Sequence, residues 1–142
     1  MHEYIIYTDG GYSNSDNVGS GAFVILRADG QTVVKQDSFV LWHETSQRAE
    51  LKAIIAAIHE LPDRSHARIF TDYQYAAQSL GTRPHRKNKP DIDLLLRYRQ
   101  LIRYKKLVIE FEWIPSDSDN HWHEVCDNLC AEALAELGRT AD

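Results

Sequence analysis

Four acidic residues stand where a carboxylate is costly unless it does something. Asp9 follows the apolar run at residues 4–8, and Asp72 follows another at 67–71. The ends of apolar strands are a usual place for functional carboxylates on an open sheet. Glu50 lies in the first turns of a helical pattern, just before its apolar stripe, and Asp127 lies between Cys126 and Cys130 on a stretch that otherwise reads as partly buried. Taken singly, each has an ordinary explanation: a helix N-terminal acid for Glu50, strand-end caps for the aspartates. Together they form a hard, oxygen-rich cage suited to magnesium or manganese rather than zinc, and a buried carboxylate needs such a partner.

The elements that would position these acids are legible from periodicity. Residues 4–8 (Tyr-Ile-Ile-Tyr-Thr) read as a buried strand that Asp9-Gly10-Gly11 ends, with a turn over 13–21. Residues 22–27 form a second strand, and Asp29-Gly30 signals a hairpin into a third at 32–42. The period then changes. Leu51, Ile54, Ile55 and Ile58 repeat at helical spacing over about 46–61, with Thr45 or Ser46 as cap and Pro62 past the end. A strand at 67–71, a short helix at 73–80, a basic irregular segment at 82–90, a helix at 92–104 and a strand at 107–114 follow. A last amphipathic helix runs from His121 or Trp122 to Leu137. Three strands, then helix and strand in alternation, predict an α/β (mixed α+β) architecture with helices packed on a mixed sheet.

Composition bounds the rest. The 142 residues suit one domain over 1–142, and a chain of that size buries enough surface to need no staples. With 43% hydrophobic and 26% charged residues, disordered and fibrous readings are excluded. No apolar run nears the roughly 18 residues of a membrane span, and the N-terminus enters a strand at once, so neither membrane nor signal peptide is expected. Two cysteines make no disulfide framework, which points to a reducing, cytoplasmic setting. A net charge of −5 argues against nucleic-acid binding by bulk charge, but four acids reserved for a metal would leave the remainder near neutral.

Four blocks carry a resemblance. Tyr7-Thr8-Asp9-Gly10-Gly11, Thr45-Ser46-Gln47-Arg48-Ala49-Glu50-Leu51, Phe70-Thr71-Asp72-Tyr73-Gln74-Tyr75-Ala76 and Cys126-Asp127-Asn128-Leu129 resemble, in order, the signature blocks of type 1 ribonuclease H, bacterial and retroviral. The resemblance covers nearly the whole chain. It implies an RNase H-like fold, a five-stranded mixed sheet with three antiparallel and two parallel strands. It also implies an endonuclease that cuts the RNA strand of RNA/DNA hybrids and leaves 5′-phosphate and 3′-hydroxyl ends. Asp9, Glu50, Asp72 and Asp127 would hold two Mg2+ ions about 4 Å apart, with Mn2+ as a substitute. Gly10, Gly11, Ser46 and Gln47 match positions that read the hybrid's minor groove and its 2′-hydroxyls, and Thr45 matches a phosphate contact that a helix cap would equally explain. No obligate protein partner is evident. Other nucleases share this fold, among them junction resolvases and exonucleases, and a catalytically weak hybrid-binding module is the further alternative. The 45–51 block favours the ribonuclease, and the four intact acids argue against a dead module.

The chain also departs from the pattern. Asp117 stands where most such proteins carry a loop histidine, and His123 stands where an asparagine usually precedes the last aspartate by four residues. His121 or His123 is therefore a candidate substitute for the missing histidine, against the plainer reading of an exposed helix start. His121, His123, Cys126 and Cys130 also have zinc-ligand chemistry, but their spacing fits no zinc motif well, and the cysteines read as small buried hydrophobes. Trp42, Tyr73, Tyr75, Trp113 and Trp122 read as core or rim packing.

Arg83, Arg86, Lys87 and Lys89 form the one dense basic run, in the place where longer relatives carry a basic protrusion. If they touch phosphates, replacing all four by Gln weakens hybrid binding alike for every sequence. It also flattens the salt dependence by roughly one slope unit per lost contact, leaving saturated turnover nearly unchanged. Titrations at several salt concentrations read this directly, and an unchanged slope marks the segment as a solvated connection.

Overall fold

The structure, a computed structural model, describes residues 2–13, 17–76, 80, 91–117 and 119–140, with side chains described as far as 137. Five strands, β1 (His2–Ser13), β2 (Val18–Arg27), β3 (Val33–Trp42), β4 (Ser65–Thr71) and β5 (Val108–Trp113), form one sheet in the order β3-β2-β1-β4-β5. The first three pair antiparallel, while β4 pairs parallel with both β1 and β5. Helices α1 (Ser46–His59), α2 (Ile92–Lys105) and α3 (His121–Thr140) flank it. The mixed sheet expected from the strand and helix order is therefore the observed one.

Side-chain alternation along β1 sorts the layers. Ile6 joins Leu51, Ile54, Ile58, Leu95 and Leu101 in the larger core, under α1 and α2. Its neighbour Tyr7 points the other way and packs with Val24, Leu26, Cys126 and Cys130 under α3. Strand β2 is covered on both faces and is buried from Val18 through Leu26, so its sequence shows no polar–apolar alternation. This is why its first four residues read as turn: Val18 to Gly21 pair with β1 and β3 and belong to the strand.

Asp9-Gly10-Gly11 does not end β1, which stays paired with β2 as far as Ser13↔Val18. The glycines serve a different purpose. A Cβ built on Gly10 would lie 2.7 Å from the backbone nitrogen of Glu50 and 3.0 Å from its Cα. The missing side chain lets α1 settle directly onto the strand. Thr45 caps α1, its hydroxyl accepting from Arg48 N at 3.1 Å. Arg48 then ties α1 to the start of α2 through Glu44 at 2.8 Å and Asp93 at 2.9 Å.

Other expectations fare differently. The helix expected at 73–80 lies partly outside the described residues, though its described ends Ala76 and Leu80 are buried. The basic segment at 82–90, with Arg83, Arg86, Lys87 and Lys89, lies outside them altogether. Trp42, Tyr75 and Trp113 are more than half exposed rather than packed: Trp42 and Trp113 end the two edge strands β3 and β5, and Tyr75 lies in the turn after β4. Tyr73 and Trp122 do pack against the two cores. Among the described residues no helix is long and apolar enough to cross a membrane.

Since backbone rather than a pliable side chain meets the Gly10 position, Gly10→Ala must push α1 off β1. The expected cost is about 1–3 kcal/mol of stability, read as a lower urea midpoint with an unchanged slope.

Candidate active site

The register of β1 and β4 brings two identical dipeptides together. The last parallel pair is Tyr7↔Phe70, so Thr8 stands beside Thr71 and Asp9 beside Asp72. Across this edge α1 delivers Glu50. Both threonine hydroxyls donate to the same carboxylate oxygen, Glu50 Oε1, at 2.8 Å from Thr8 and 2.7 Å from Thr71. The second oxygen, Oε2, is buried without a hydrogen-bond partner. Thr71 also accepts from Tyr73 N at 3.1 Å, and the Trp113 indole donates to the Asp72 carbonyl at 3.2 Å, which fixes the chain around Asp72.

Asp9 and Glu50 are 4% and 3% exposed. Asp9 Oδ1 accepts from Gly10 N at 2.9 Å. Burial, with the charges of Glu50 and Asp72 added, pushes the Asp9 carboxyl well above the usual carboxylate range. Burial likewise pushes Glu50 up to about 7, against the opposing hydrogen bonds from the threonines.

Helix α3 closes the site from the other face. Asn120 caps it, its side chain accepting from His123 N at 3.0 Å and its carbonyl from Glu124 N at 3.0 Å. The cap sets His123 in the first turn with Nε2 3.4 Å from Asp72 Oδ2 and 3.8 Å from Asp9 Oδ1. Asp72 beside it, then the charges of Asp9 and Glu50, raise the imidazole's pKa against the effect of its own burial. Asp127 comes one turn later. It is exposed, on the rim, which corrects the expectation of a partly buried acid: the buried stripe of α3 runs through Cys126 and Cys130, and Asp127 is turned away from it. Asp127 nonetheless lines the same open cleft of about 400 Å3 as Asp9, Asp72, Asp117 and His123.

Of the candidates from sequence, the structure thus gathers Asp9, Glu50, Asp72 and His123 and sets Asp127 and Asp117 at the edge. His121 is exposed, its ring against Trp122. Gly10 and Gly11 lie beside the acids on β1, and Thr45, Ser46 and Gln47 are exposed at the start of α1. The zinc reading fails on geometry. Cys126 and Cys130 are buried thiols facing the carbonyls of Tyr7 and Asp9, at 3.3 and 3.6 Å, and the described ligand group with metal-compatible spacing is Asp9, Asp72 and His123. Sequence reasoning missed Thr8 and Thr71 as the clamp on Glu50. The signal was present: the same Thr-Asp pair ends both strands that flank the site.

A mixed sheet with acids collected at the ends of the parallel strands β1 and β4 defines an α/β fold with a candidate metal-binding acid cluster. A model of the RNase H family matches residues 1–135. The chain is 28% identical over 148 residues to a ribonuclease H of Campylobacter jejuni subsp. jejuni (strain 81-176), covering all of this chain and 98% of that one. To a ribonuclease H of Trichodesmium erythraeum it is 27% identical, over 99% of this chain and 94% of the relative. The N-terminal RNase H domain of Rv2228c from Mycobacterium tuberculosis, solved as a fusion with maltose-binding protein, superposes with a TM-score of 0.78 at 20% identity over the full length of both chains. The chain belongs to the RNase H family. It is accordingly an endoribonuclease of the hydrolase class.

The acid cluster makes stability depend on pH when metal is withheld. A carboxyl whose pKa is raised by folding costs nothing below its unfolded value, near 4, where both states are protonated. The cost then grows as pH rises towards the folded value, about 7 for Glu50 and about 8 for Asp9. The raised His123 acts in the same sense, since its stabilisation is present below 6.5 and is lost as pH rises through its folded value. In EDTA the Tm should therefore fall between pH 5 and 8. Asp9→Asn keeps an oxygen for the Gly10 N–H and should raise the Tm at pH 8, by roughly 2–5 °C per kcal/mol relieved. Calorimetry across this range checks both, and a flat wild-type profile contradicts the charge cluster.

Proposed function

We propose that this chain, acting as a single catalytic domain over residues 1–142, hydrolyses the RNA strand of RNA/DNA hybrids with divalent metal held by Asp9, Glu50, Asp72 and Asp127. The observation that carries the reading is that Asp9, Glu50 and Asp72 stand near enough for the charges of Glu50 and Asp72 to raise Asp9 and that of Asp72 to raise Glu50, whose Oε2 is buried and unpartnered. Carboxylates forced together at this cost fit a cation, and their oxygen donors fit Mg2+ or Mn2+. Two such ions, when bound, activate a water, neutralise charge on the phosphate and stabilise the leaving oxygen, which gives 5′-phosphate and 3′-hydroxyl products.

The protein's own residues do the positioning. Asp9, whose carboxyl feels the charges of both Glu50 and Asp72, would be one of the acids that hold the metal. Glu50 is held rigid through Oε1 by Thr8 and Thr71, so that Oε2 alone is offered. Asp72 is fixed through its own carbonyl by Trp113. Asp127, on the rim, meets whatever enters the open cleft first. Beside the cleft, Gly10 meets the backbone of Ala49 and Glu50, so the backbone after Asp9 lies against the helix whose start carries the exposed Thr45, Ser46 and Gln47. That combination of backbone groups and short polar side chains suits a shallow minor groove displaying 2′-hydroxyls, the groups that separate RNA from DNA.

The test is cleavage of a labelled RNA/DNA hybrid, duplex DNA and duplex RNA, each with Mg2+, Mn2+ or chelator. Only the hybrid's RNA strand should be cut, and only with metal. Asp9→Asn and Asp72→Asn should lose at least about a hundredfold in rate while still binding the hybrid. Wild-type rates in either variant refute the assignment.

A further inference from the structure

We propose that His123 is itself a metal ligand, its Nε2 joining Asp9 and Asp72 in holding a divalent cation, and that this nitrogen makes the site prefer Mn2+ to Mg2+. The inference rests on the metal-dependent reading above and deepens it.

Three observations carry it. First, position: His123 is one turn before Asp127 on α3, so both reach the same cleft, with His123 the inner of the two. The Asn120 cap fixes the backbone of this first turn. Second, spacing: Nε2 and one oxygen each of Asp9 and Asp72 all lie within 4.8 Å of one another, with Nε2 at 3.8 and 3.4 Å from the two oxygens. Adjacent ligands of an octahedral ion with bonds of about 2.1 Å are about 3 Å apart, so Nε2 needs to close on each of the two oxygens by less than about 1 Å. Third, satisfaction: the side chain is 6% exposed, yet Nε2 has no hydrogen-bond partner. Buried ring nitrogens are ordinarily paired.

The rival explanation is a fixed counter-ion, an imidazolium bonded to the acids. A charge-assisted N–H···O bond is short, about 2.7–2.9 Å, and neither distance to the acids approaches that. What remains is a nitrogen aimed at two carboxylates across a gap of ligand dimensions.

The chemistry of the donor set gives the preference. Mg2+ demands oxygen donors in near-ideal octahedral geometry and keeps its waters. Imidazole is a borderline donor that suits first-row transition ions, and Mn2+ accepts both it and carboxylate. A cage of acids alone leaves the choice to size and availability, whereas one nitrogen shifts it towards Mn2+.

The experiment uses the full chain and Mn2+ alone. EPR titration counts the bound ion, competition with Mg2+ gives the ratio of affinities, and electron spin-echo modulation detects nitrogen bound to manganese. Wild type should show 14N modulation that changes to the 15N pattern when histidines are 15N-labelled, a readout that needs no variant. His123→Asn should still bind Mn2+ but lose the modulation, with its Mn2+/Mg2+ affinity ratio lowered several-fold, and His121→Asn should keep both. Mn2+ bound to wild type without nitrogen modulation, or modulation that survives in His123→Asn, overturns the ligand assignment and leaves the carboxylate site standing. Asp9→Asn and Asp72→Asn proteins that bind Mn2+ as tightly as wild type would instead overturn the metal centre, and the proposal with it.

Discussion

The structure turns on a carboxylate that is buried with no cationic side chain in hydrogen-bond contact among the described residues. Glu50 is brought to the sheet by a helix, clamped through one oxygen by two threonines, and set near the charges of Asp9 and Asp72. In an interior of low polarity this arrangement opposes folding. The fold tolerates it because the surrounding parts are held by forces that do not depend on it. The core under α1 and α2 contains Ile6, Leu51, Ile54, Ile58 and Leu95, all fully buried. Each such side chain contributes on the order of 1.5–3 kcal/mol. The acids are thus a local liability carried by a scaffold with apolar burial on both faces of its sheet.

The same constraint explains why the helices sit where they do. A carboxylate on α1 reaches the ends of β1 and β4 only if the helix lies very close to the strand, and Gly10 permits this by leaving no Cβ in the way of the Glu50 backbone. Arg48, two residues before Glu50, ties the start of α1 to Glu44 and to the start of α2. The approach of Glu50 is therefore fixed from below by the strand and from the side by a charged network. On the opposite face, the buried stripe of α3 with Cys126 and Cys130 packs behind β1, so the helix presents His123 inward and Asp127 at the rim. One sheet edge thus receives donors from both layers.

Much of this was legible in the sequence, for identifiable reasons. The strand and helix order follows from period and turn chemistry, and the three inner acids stand directly after apolar runs or just before an apolar stripe. What could not be read depends on tertiary contacts. Strand β2 is buried on both faces, so period two is absent and its glycine-rich start reads as turn. Gly10 and Gly11 look like punctuation until α1 is seen packed against the strand. The depth of Asp127 depends on the rotation of α3, and the buried positions among the described residues of that helix are His123, Cys126 and Cys130. His123 reads as an exposed helix start, and only the Asn120 cap and the packing of α3 on the sheet bring it to the acids.

The distribution of rigidity across the site has a consequence for how it works. Asp9 is held by the Gly10 N–H of β1 and Glu50 by Thr8 and Thr71 of β1 and β4, and both are buried, so their carboxylates have little freedom to follow a moving ligand. Asp127 stands on an exposed helical face that offers no such restraint among its described neighbours. Under the proposed function, charge that changes position during hydrolysis must be followed by whichever donors can move at small cost, because reorganising a buried, clamped carboxylate would break the bonds that make its burial tolerable. The inner acids then act as a fixed electrostatic frame, and adjustment to the substrate falls to the rim. A frame whose charges are set before the substrate arrives requires no reorganisation at the moment of reaction, and that is what makes a cluster so unfavourable to folding worth retaining.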